Sequence, residues 1–248
     1  AGILALVAGL KIGVYGLIRF AMPLAPDAAH DFQWLLVGLG MLGLLYGAIT
    51  ALGQSNLRRM LAFSSISHVG LVLLGIASFN HTGLQGSLFQ LLNFIFIAGG
   101  LYLLVEFIHE RTGSAEALSL GGVAGNMPVL VSLFFLLSLA SIGVPATSGF
   151  AAEFLLIVAI LKSHTGAGLV ALFVVVLGAG YVLNTFRLTL LGAARHEYLT
   201  RLPDLLPREL MAISLLALWV LLLGLYPQGI LNTLAVSSTQ WIEHMTPP

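Results

Sequence analysis

The sequence predicts an all-α integral membrane protein with seven transmembrane helices, one of them broken. Of its 248 residues, 58% are hydrophobic and 8% are charged, and the mean hydropathy is +1.02. Soluble domains do not show this profile. The apolar runs recur at near-regular intervals and are about 20 residues long, as a bilayer-spanning helix requires, whereas barrel strands would alternate over about ten residues.

Composition also excludes several classes of function. The formal net charge is zero and no basic patch is present, which argues against a nucleic-acid partner. The absence of cysteine excludes disulfides, thiolate metal sites and cysteine-ligated clusters, so any redox chemistry belongs to a partner or to a non-covalent cofactor. We expect no cofactor in this chain. Because Ala1 is not Met and already lies in an apolar run, we interpret the chain as a fragment that does not begin with a signal peptide.

The predicted spans belong to a single transmembrane domain, residues 1–248. They are residues 1–22, 34–52, 60–79, 84–106, 127–161, 167–191 and 210–231. Short polar turns separate them, and neither a linker nor a shift in composition divides the chain. The fifth run is longer than one crossing of about 20 residues, so it is either one broken helix or two short helices.

Loop charge distinguishes these two topologies. A single broken helix places six arginines on one side of the membrane and only Arg19 and Lys162 on the other, whereas two helices would give four on each side. The six are Arg58, Arg59, Arg111, Arg195, Arg201 and Arg208. The positive-inside rule therefore favours one broken span, with the six arginines cytoplasmic and Pro248 periplasmic. A bacterial inner membrane is the expected location.

The break is predicted within the stretch GVPATSGF. Pro145 has no N–H to donate, and Gly143 and Gly149 relax the backbone, so several backbone groups lose their helical partners. Such a break persists in a membrane where protein encloses it or where it lines a hydrated cavity. Thr147 and Ser148 can supply substitute hydrogen bonds. The alternative is a packing kink without further function.

Lys11 lies near the middle of the first predicted span, in the stretch LVAGLKIGVYG. Gly9, Gly13 and Gly16 leave space around it for another helix or for water. Ionisable residues at this depth are costly and usually mark ion paths, so we interpret Lys11 as a proton-relay residue. A structural ion pair with a neighbouring carboxylate is the alternative.

His68 belongs to the stretch FSSISHVG. Ser64 precedes it by one helical turn and shares its face, while Ser67 lies to one side. Two hydroxyls and an imidazole can hold water, and imidazole changes charge close to physiological pH. His68 is therefore a second relay candidate, with a structural bond to a backbone carbonyl as the equal alternative.

Glu153 is the one carboxylate of the interrupted run and follows the break. A half-helix that begins near Phe150 offers its amide end to the break, which favours an anion or a polarised water there. A carboxyl group in this position can stay protonated when dry and ionise when wetted, so Glu153 is the third relay candidate. The alternative is a counter-ion for a fixed positive charge.

Other site chemistry is not indicated. The glycine cluster at 121–125 has no preceding strand, so a dinucleotide-binding fingerprint is unsupported. No Ser/His/Asp grouping and no metal-ligand pattern is visible.

Four stretches, in order, resemble a known family: AGLKIGVYGLIRFAMPL, NLRRMLAFSSISHVG, GVPATSGFAAEFLLI, and LPREL followed by LLGLYPQGIL. They are similar to the C-terminal half of the antiporter-like M subunits of proton-pumping NADH:quinone oxidoreductase. The resemblance covers nearly the whole chain and implies half of a fourteen-helix fold made of two inverted five-helix repeats. It also implies a redox-free translocase subunit whose partners are other membrane subunits, lipid, protons and water.

The resemblance assigns roles to the three ionisable residues. Lys11 corresponds to the lysine that connects two half-channels, His68 to the histidine of the second half-channel, and Glu153 to the terminal residue on the broken helix. The chain departs from the family at Phe94, where many members have histidine. The missing relay group implies that water or a neighbouring side chain bridges from His68 toward Glu153.

Two other functions remain open on the sequence. Membrane subunits of group 4 hydrogenases and of multisubunit Na⁺/H⁺ antiporters resemble the same segments, so the chain could serve a cation/proton antiporter or a membrane hydrogenase. A scaffold subunit that keeps the fold and conducts nothing is the other alternative, which Phe94 would allow.

Overall fold

The computed structural model describes residues 9, 11–117, 119–192 and 202–245. Residues 1–8 and 10 of the first predicted span, together with Arg195, Arg201 and Pro248, lie outside these ranges. The described residues form helices joined by turns, with one isolated antiparallel bridge between Asn56 and Glu116.

Ten helices are labelled here in chain order. They are α1, described from residue 11 and continuing through a π-helical turn at Leu17–Ala21 to Met22–Leu24; α2, Pro26–Asp31; α3, Gln33–Leu52; α4, Leu57–Ala77; α5, His81–Thr112; α6, Pro128–Ser141; α7, Ser148–Ser163; α8, Thr165–Leu190; α9, Pro207–Leu225; and α10, Gln228–Met245.

The helix ends follow local chemistry. The side chain of Asn56 caps α4 by accepting hydrogen bonds from the backbone N–H groups of Arg58 and Arg59, and Asn80 accepts one from Gly83 at the start of α5. Gly113 ends α5 in the left-handed conformation at φ +72°, which glycine adopts without a Cβ clash. These caps mark the start of α4 and both ends of α5, the longest of the described helices.

Five described helices, α3, α4, α5, α8 and α9, are long and apolar enough to cross a membrane. The broken pair α6 and α7 is shorter in each half, as the sequence predicts, and only part of α1 is described. The count of seven transmembrane spans therefore remains a prediction. The last predicted span, 210–231, is wrong in its C-terminal bound, because the chain leaves the helix at Tyr226 and Pro227 and starts the separate helix α10.

Glycines bring α3 and α4 into close contact. A Cβ added at Gly47 would lie 2.5 Å from the backbone N of Ser67, and one added at Gly70 would lie 2.4 Å from the backbone N of Leu44. Small residues permit this backbone approach, which is how membrane helices pack without a hydrophobic driving force between them. This close contact sets the rotation of α4 against α3, and with it the direction in which His68 faces.

The two ends of the bundle differ in composition. One end, called here the arginine end, contains the α3–α4 turn at 53–56, the segment 113–127 and the segment 202–206. It carries the ion pairs Arg58–Glu106 and Arg111–Glu209. The other, called the histidine end, contains the segment 25–32, the turn 78–80 and His164, whose Nε2 lies 3.2 Å from Nε2 of Gln33.

The pair α6–α7 runs once along α5, from the arginine end to the histidine end. At its start, the carboxylate of Asp204 accepts hydrogen bonds from the backbone N–H groups of Val129 and Leu130, at 2.8 and 3.1 Å. Near its end, Asn80 donates to the carbonyl of Ala159 at 3.2 Å. Because Asn80 caps the first turn of α5, the pair traverses the bundle rather than turning back at the break.

Side chains at the arginine end hold the loops against the helices. Arg111 donates to the carbonyls of Pro203 at 3.1 Å and Asp204 at 3.3 Å, and it pairs with Glu209 at the start of α9. On the neighbouring loop, hydrogen bonds from Asn56 and Ser55 lower the pKa of the Glu116 carboxyl group below its ordinary value. The contact of Arg111 with Asp204 positions α6, because the carboxylate of Asp204 caps the start of that helix.

Candidate functional site

The break between α6 and α7 occupies residues 142–147. Gly143 has φ +68° and Ala146 has φ +75°, so the chain turns through two left-handed residues, of which only one is a glycine. Pro145 lies exposed on the outer side of the break. The second half-helix begins at Ser148, two residues earlier than the sequence predicts.

Protein encloses the inner side of the break. Thr147 donates to the carbonyl of Val144 at 2.7 Å, which satisfies one backbone group within the break as predicted. A Cβ at Gly149 would lie 1.9 Å from the carbonyl oxygen of Ala140, so the half-helices touch there. A Cβ at Gly224 of α9 would lie 2.4 Å from the carbonyl oxygen of Ala146, and this close approach closes the break from a third helix.

Glu153 lies in the second turn of α7, and its side chain points back toward the break. Glu153 is 5% exposed. A Cβ added at Gly143 would lie 2.5 Å from its Oε2 atom, so the glycine provides the space that the carboxyl group occupies. The break and the carboxyl group therefore form one structural unit.

His68 lies near the middle of α4 and faces Glu153. Its Nδ1 atom is 3.6 Å from Oε1 of Glu153. The same Nδ1 is 3.4 Å from the amide nitrogen Nε2 of Gln90. A neutral imidazole accepts a hydrogen bond at Nδ1 from Gln90, and the same lone pair can take a proton from the carboxyl group of Glu153.

Buried amides connect the histidine to the break, and sequence reasoning missed this connection. Asn93 donates from Nδ2 to Oε1 of Gln90 at 3.3 Å, and Ser148 donates to Oδ1 of Asn93. Gln90 and Asn93 are 2% and 1% exposed. Their spacing of one turn inside an apolar run was the available signal, because a buried amide is costly unless it is hydrogen-bonded.

The two serines before His68 have different surroundings. Ser64 accepts a hydrogen bond at 2.8 Å from the hydroxyl of Tyr181 on α8. Ser67 donates to the carbonyl of Leu44 at 2.9 Å, which ties α4 to α3. Ser64 thus lies on the face of His68 as predicted, whereas the hydroxyl of Ser67 is used in helix packing.

Lys11 lies on the other side of His68, beyond Phe94. Its Nζ atom is 4.7 Å from the centroid of the Phe94 ring, and it is buried with no hydrogen-bond partner among the described residues. The Phe94 ring also lies edge-on to His68, with centroids 5.3 Å apart. Among the described residues, nothing lies within 4 Å of a Cβ added at Gly13 or Gly16, so the space expected beside Lys11 stays a prediction.

The sequence predicted that water or a neighbouring side chain bridges from His68 toward Glu153, and this position of the bridge is wrong. His68 approaches Glu153 directly, and the gap that phenylalanine leaves lies between Lys11 and His68. The relative rotation of α1, α4 and α5 decides this order, and spacing within one helix does not reveal it.

Three cavities follow this order of residues. One, of about 10 Å³, is lined by Lys11, Phe94, His68 and Gln90. Two others, of about 20 Å³ each, both have His68 and Glu153 in their walls, with Ser141 of the broken helix. A cavity of about 20 Å³ with polar groups in its wall has room for about one water molecule that hydrogen-bonds to these groups. Among the described residues, no group of three or more metal-ligating side chains occurs.

Apolar crossing helices, a broken helix with a buried carboxyl group and a buried lysine amino group together are typical of an antiporter-like membrane subunit. The family described as NADH:quinone oxidoreductase/Mrp antiporter, TM, matches residues 2–178, and the chain belongs to this family. It is 37% identical over 228 residues to NADH-quinone oxidoreductase subunit M of Rickettsia typhi, an alignment that covers 92% of this chain and 46% of that relative.

The comparison with solved structures supports the same family. A chain of respiratory complex I from Thermus thermophilus has a TM-score of 0.89 at 32% identity, covering 95% of this chain and 50% of that one. A chain of the Mrp complex from Dietzia has a TM-score of 0.83 at 25% identity, covering 95% and 53%. The chain thus spans about half the length of the relatives it matches.

Proposed function

We propose that this chain is the C-terminal half of a proton-translocating membrane subunit of an NADH:quinone oxidoreductase, in which Lys11, His68 and Glu153 relay protons. The contact between His68 and Glu153 beside the helix break carries the proposal. The similarity to subunit M sequences over 92% of the chain supports the assignment to this complex. The chain would act without a redox centre of its own, in a bacterial inner membrane with the arginine end cytoplasmic.

The carboxyl group of Glu153 can exchange a proton with His68 over a short distance. In the neutral pair, the carboxyl group carries the proton and Nδ1 of His68 carries a lone pair. Transfer of the proton from Oε1 to Nδ1 leaves a carboxylate at the amide end of α7, where the helix dipole favours negative charge. Gln90 then exchanges its contact with Nδ1 for one with water.

Lys11 is connected to this pair through water rather than directly. Phe94 offers no proton-carrying group, so the cavity between Lys11 and His68 has to hold water for a proton to cross. The Phe94 ring stabilises the ammonium form of Lys11 by a cation–π contact. When Lys11 is neutral the contact is lost, which frees the ring to move and admits water.

Substitution of Glu153 by Gln tests the proposal. The variant keeps the volume and most hydrogen bonding but cannot release a proton, so we expect proton uptake by inverted vesicles to fall by about a hundredfold or more per assembled complex. Glu153→Asp should retain partial activity if water fills the missing methylene. Glu106→Gln, which makes the same chemical change in a surface ion pair, is the matched control and should leave uptake unchanged.

Two rivals make different predictions for the same assay. A non-conducting scaffold, which the position of Phe94 favours, requires full proton uptake with Glu153→Gln. A cation/proton antiporter subunit, favoured by the likeness to the Mrp complex, requires proton movement to depend on added Na⁺ or Li⁺. Full uptake in the Gln variant, or strict dependence on these cations, would replace the proposal.

A further inference from the structure

A large cavity opens at the arginine end, outside the relay described above. It has a volume of about 230 Å³ and lies between the α3–α4 turn and the last turns of α8. Gln54 and Ser55 line it from the turn, and Asn184 and Thr185 line it from α8. These polar groups make it suited to water, in contrast to the lipid-facing surface of the same helices.

Tyr181 separates this surface cavity from Glu153. It lines the surface cavity and also the inner cavity, which has a volume of about 20 Å³ and has His68 and Glu153 in its wall. Among the described residues, no other side chain lines both. Tyr181 is 4% exposed and lies roughly 14 Å, or nine residues at 1.5 Å each, from the end of α8.

A single hydrogen bond holds the tyrosine in this position. Its hydroxyl donates to Oγ of Ser64 at 2.8 Å, across the interface between α8 and α4. Ser64 lines the other cavity that has His68 and Glu153 in its wall. Beside the tyrosine, a Cβ added at Gly178 would lie 3.9 Å from the Tyr181 hydroxyl, so the glycine leaves room for the ring to move.

We propose that Tyr181 is the gate of a water route from the arginine end to Glu153, closed by its hydrogen bond to Ser64. This inference rests on the proposed function, because the route serves Glu153 only if that residue exchanges protons. While the hydroxyl donates its one proton to Ser64, it has none to give to water, so in the closed state it interrupts the route. A strut that only joins α8 to α4 is the structural alternative.

Cysteine accessibility tests the gate without relying on proton transport. The chain contains no cysteine, so one introduced thiol is unique within it. Val175→Cys places a thiol in the inner cavity and Thr185→Cys places one in the surface cavity. Val176→Cys, next in sequence but 70% exposed on the outer face of α8, is the matched control.

The complete complex is treated in inside-out vesicles with a membrane-impermeant cationic methanethiosulfonate. We expect Thr185→Cys to react readily and Val175→Cys slowly. In a Tyr181→Phe background the reaction at Val175→Cys should accelerate by up to about tenfold, the change in the open population that one lost hydrogen bond can produce. The control at Val176→Cys should not change.

Three outcomes would overturn the gate: equal rates at Val175→Cys in both backgrounds, acceleration only in right-side-out membranes, or acceleration at Val176→Cys as well. Tyr181→Phe keeps the ring and the packing of α8, so the comparison does not depend on a folding defect. Accessibility as predicted together with full proton uptake in Glu153→Gln would refute the relay and retain the gated route.

Discussion

His68 has two neighbours on the relay of opposite character. On one side, Oε1 of Glu153 lies 3.6 Å from Nδ1, beside the amides of Gln90 and Asn93. On the other, the Phe94 ring lies 5.3 Å from the imidazole, and the Lys11 ammonium is 4.7 Å beyond it. The first gap is short and polar, while the second is apolar and filled by a ring.

The difference separates a fast step from a controlled one. A proton can cross the first gap with small movements of two side chains. The second gap needs water, and the cation–π contact, worth about 2 kcal/mol when desolvated, opposes the loss of the charge on Lys11. In the proposed relay we therefore expect control at Phe94 and the exchange of protons at His68 and Glu153.

Of three further substitutions, Lys11→Ala is expected to have the largest effect. This change removes the proton carrier beyond the ring, so proton uptake should fall by about a hundredfold in an assembled complex. Because Nζ has no hydrogen-bond partner among the described residues, the assembly itself should survive. Unchanged proton uptake by the assembled complex would show that Lys11 has a structural role and that protons do not cross the gap between Lys11 and His68.

A smaller effect is expected from Gly143→Ala, which acts on the first gap. The methyl group would meet Oε2 of Glu153 at 2.5 Å, and the positive φ adds about 1–2 kcal/mol of strain. We expect a lower melting temperature and lower proton uptake. Gly113→Ala is the matched control: φ is +72° there and nothing lies within 4 Å, so it should lose stability alone. Equal loss of uptake in both variants would contradict a steric effect on Glu153.

The smallest effect is expected from Phe94→His, which makes the second gap polar. An imidazole between Lys11 and His68 supplies a proton-carrying group, and we expect uptake to rise by at most about tenfold because other steps then limit turnover. Phe96→His, on the same helix but stacked on Trp219, is the control and should give no gain. No gain, or a loss, in Phe94→His would show that the ring does not limit proton transfer.

The sequence predicted the components of the site better than their order. The apolar runs predicted the crossing helices, and Gly143 with Pro145 predicted the break, because these signals are local. The position of Phe94 could not be predicted, since it depends on how α1, α4 and α5 rotate against one another. The bond from Tyr181 to Ser64 joins residues 117 positions apart, and no periodicity within either helix indicates it.

The most direct test of the relay is the infrared signal of the Glu153 carboxyl group during turnover of the complete complex. A protonated-carboxyl band that changes on reduction and is absent in Glu153→Gln would show that this group gains and loses a proton. Because His68 contacts Glu153 across the first gap, we expect His68→Gln to shift this band. Because the Phe94 ring separates Lys11 from that pair, we expect Lys11→Ala to leave the frequency of the band unchanged. A spectrum in which Glu153→Gln removes no band would contradict the relay.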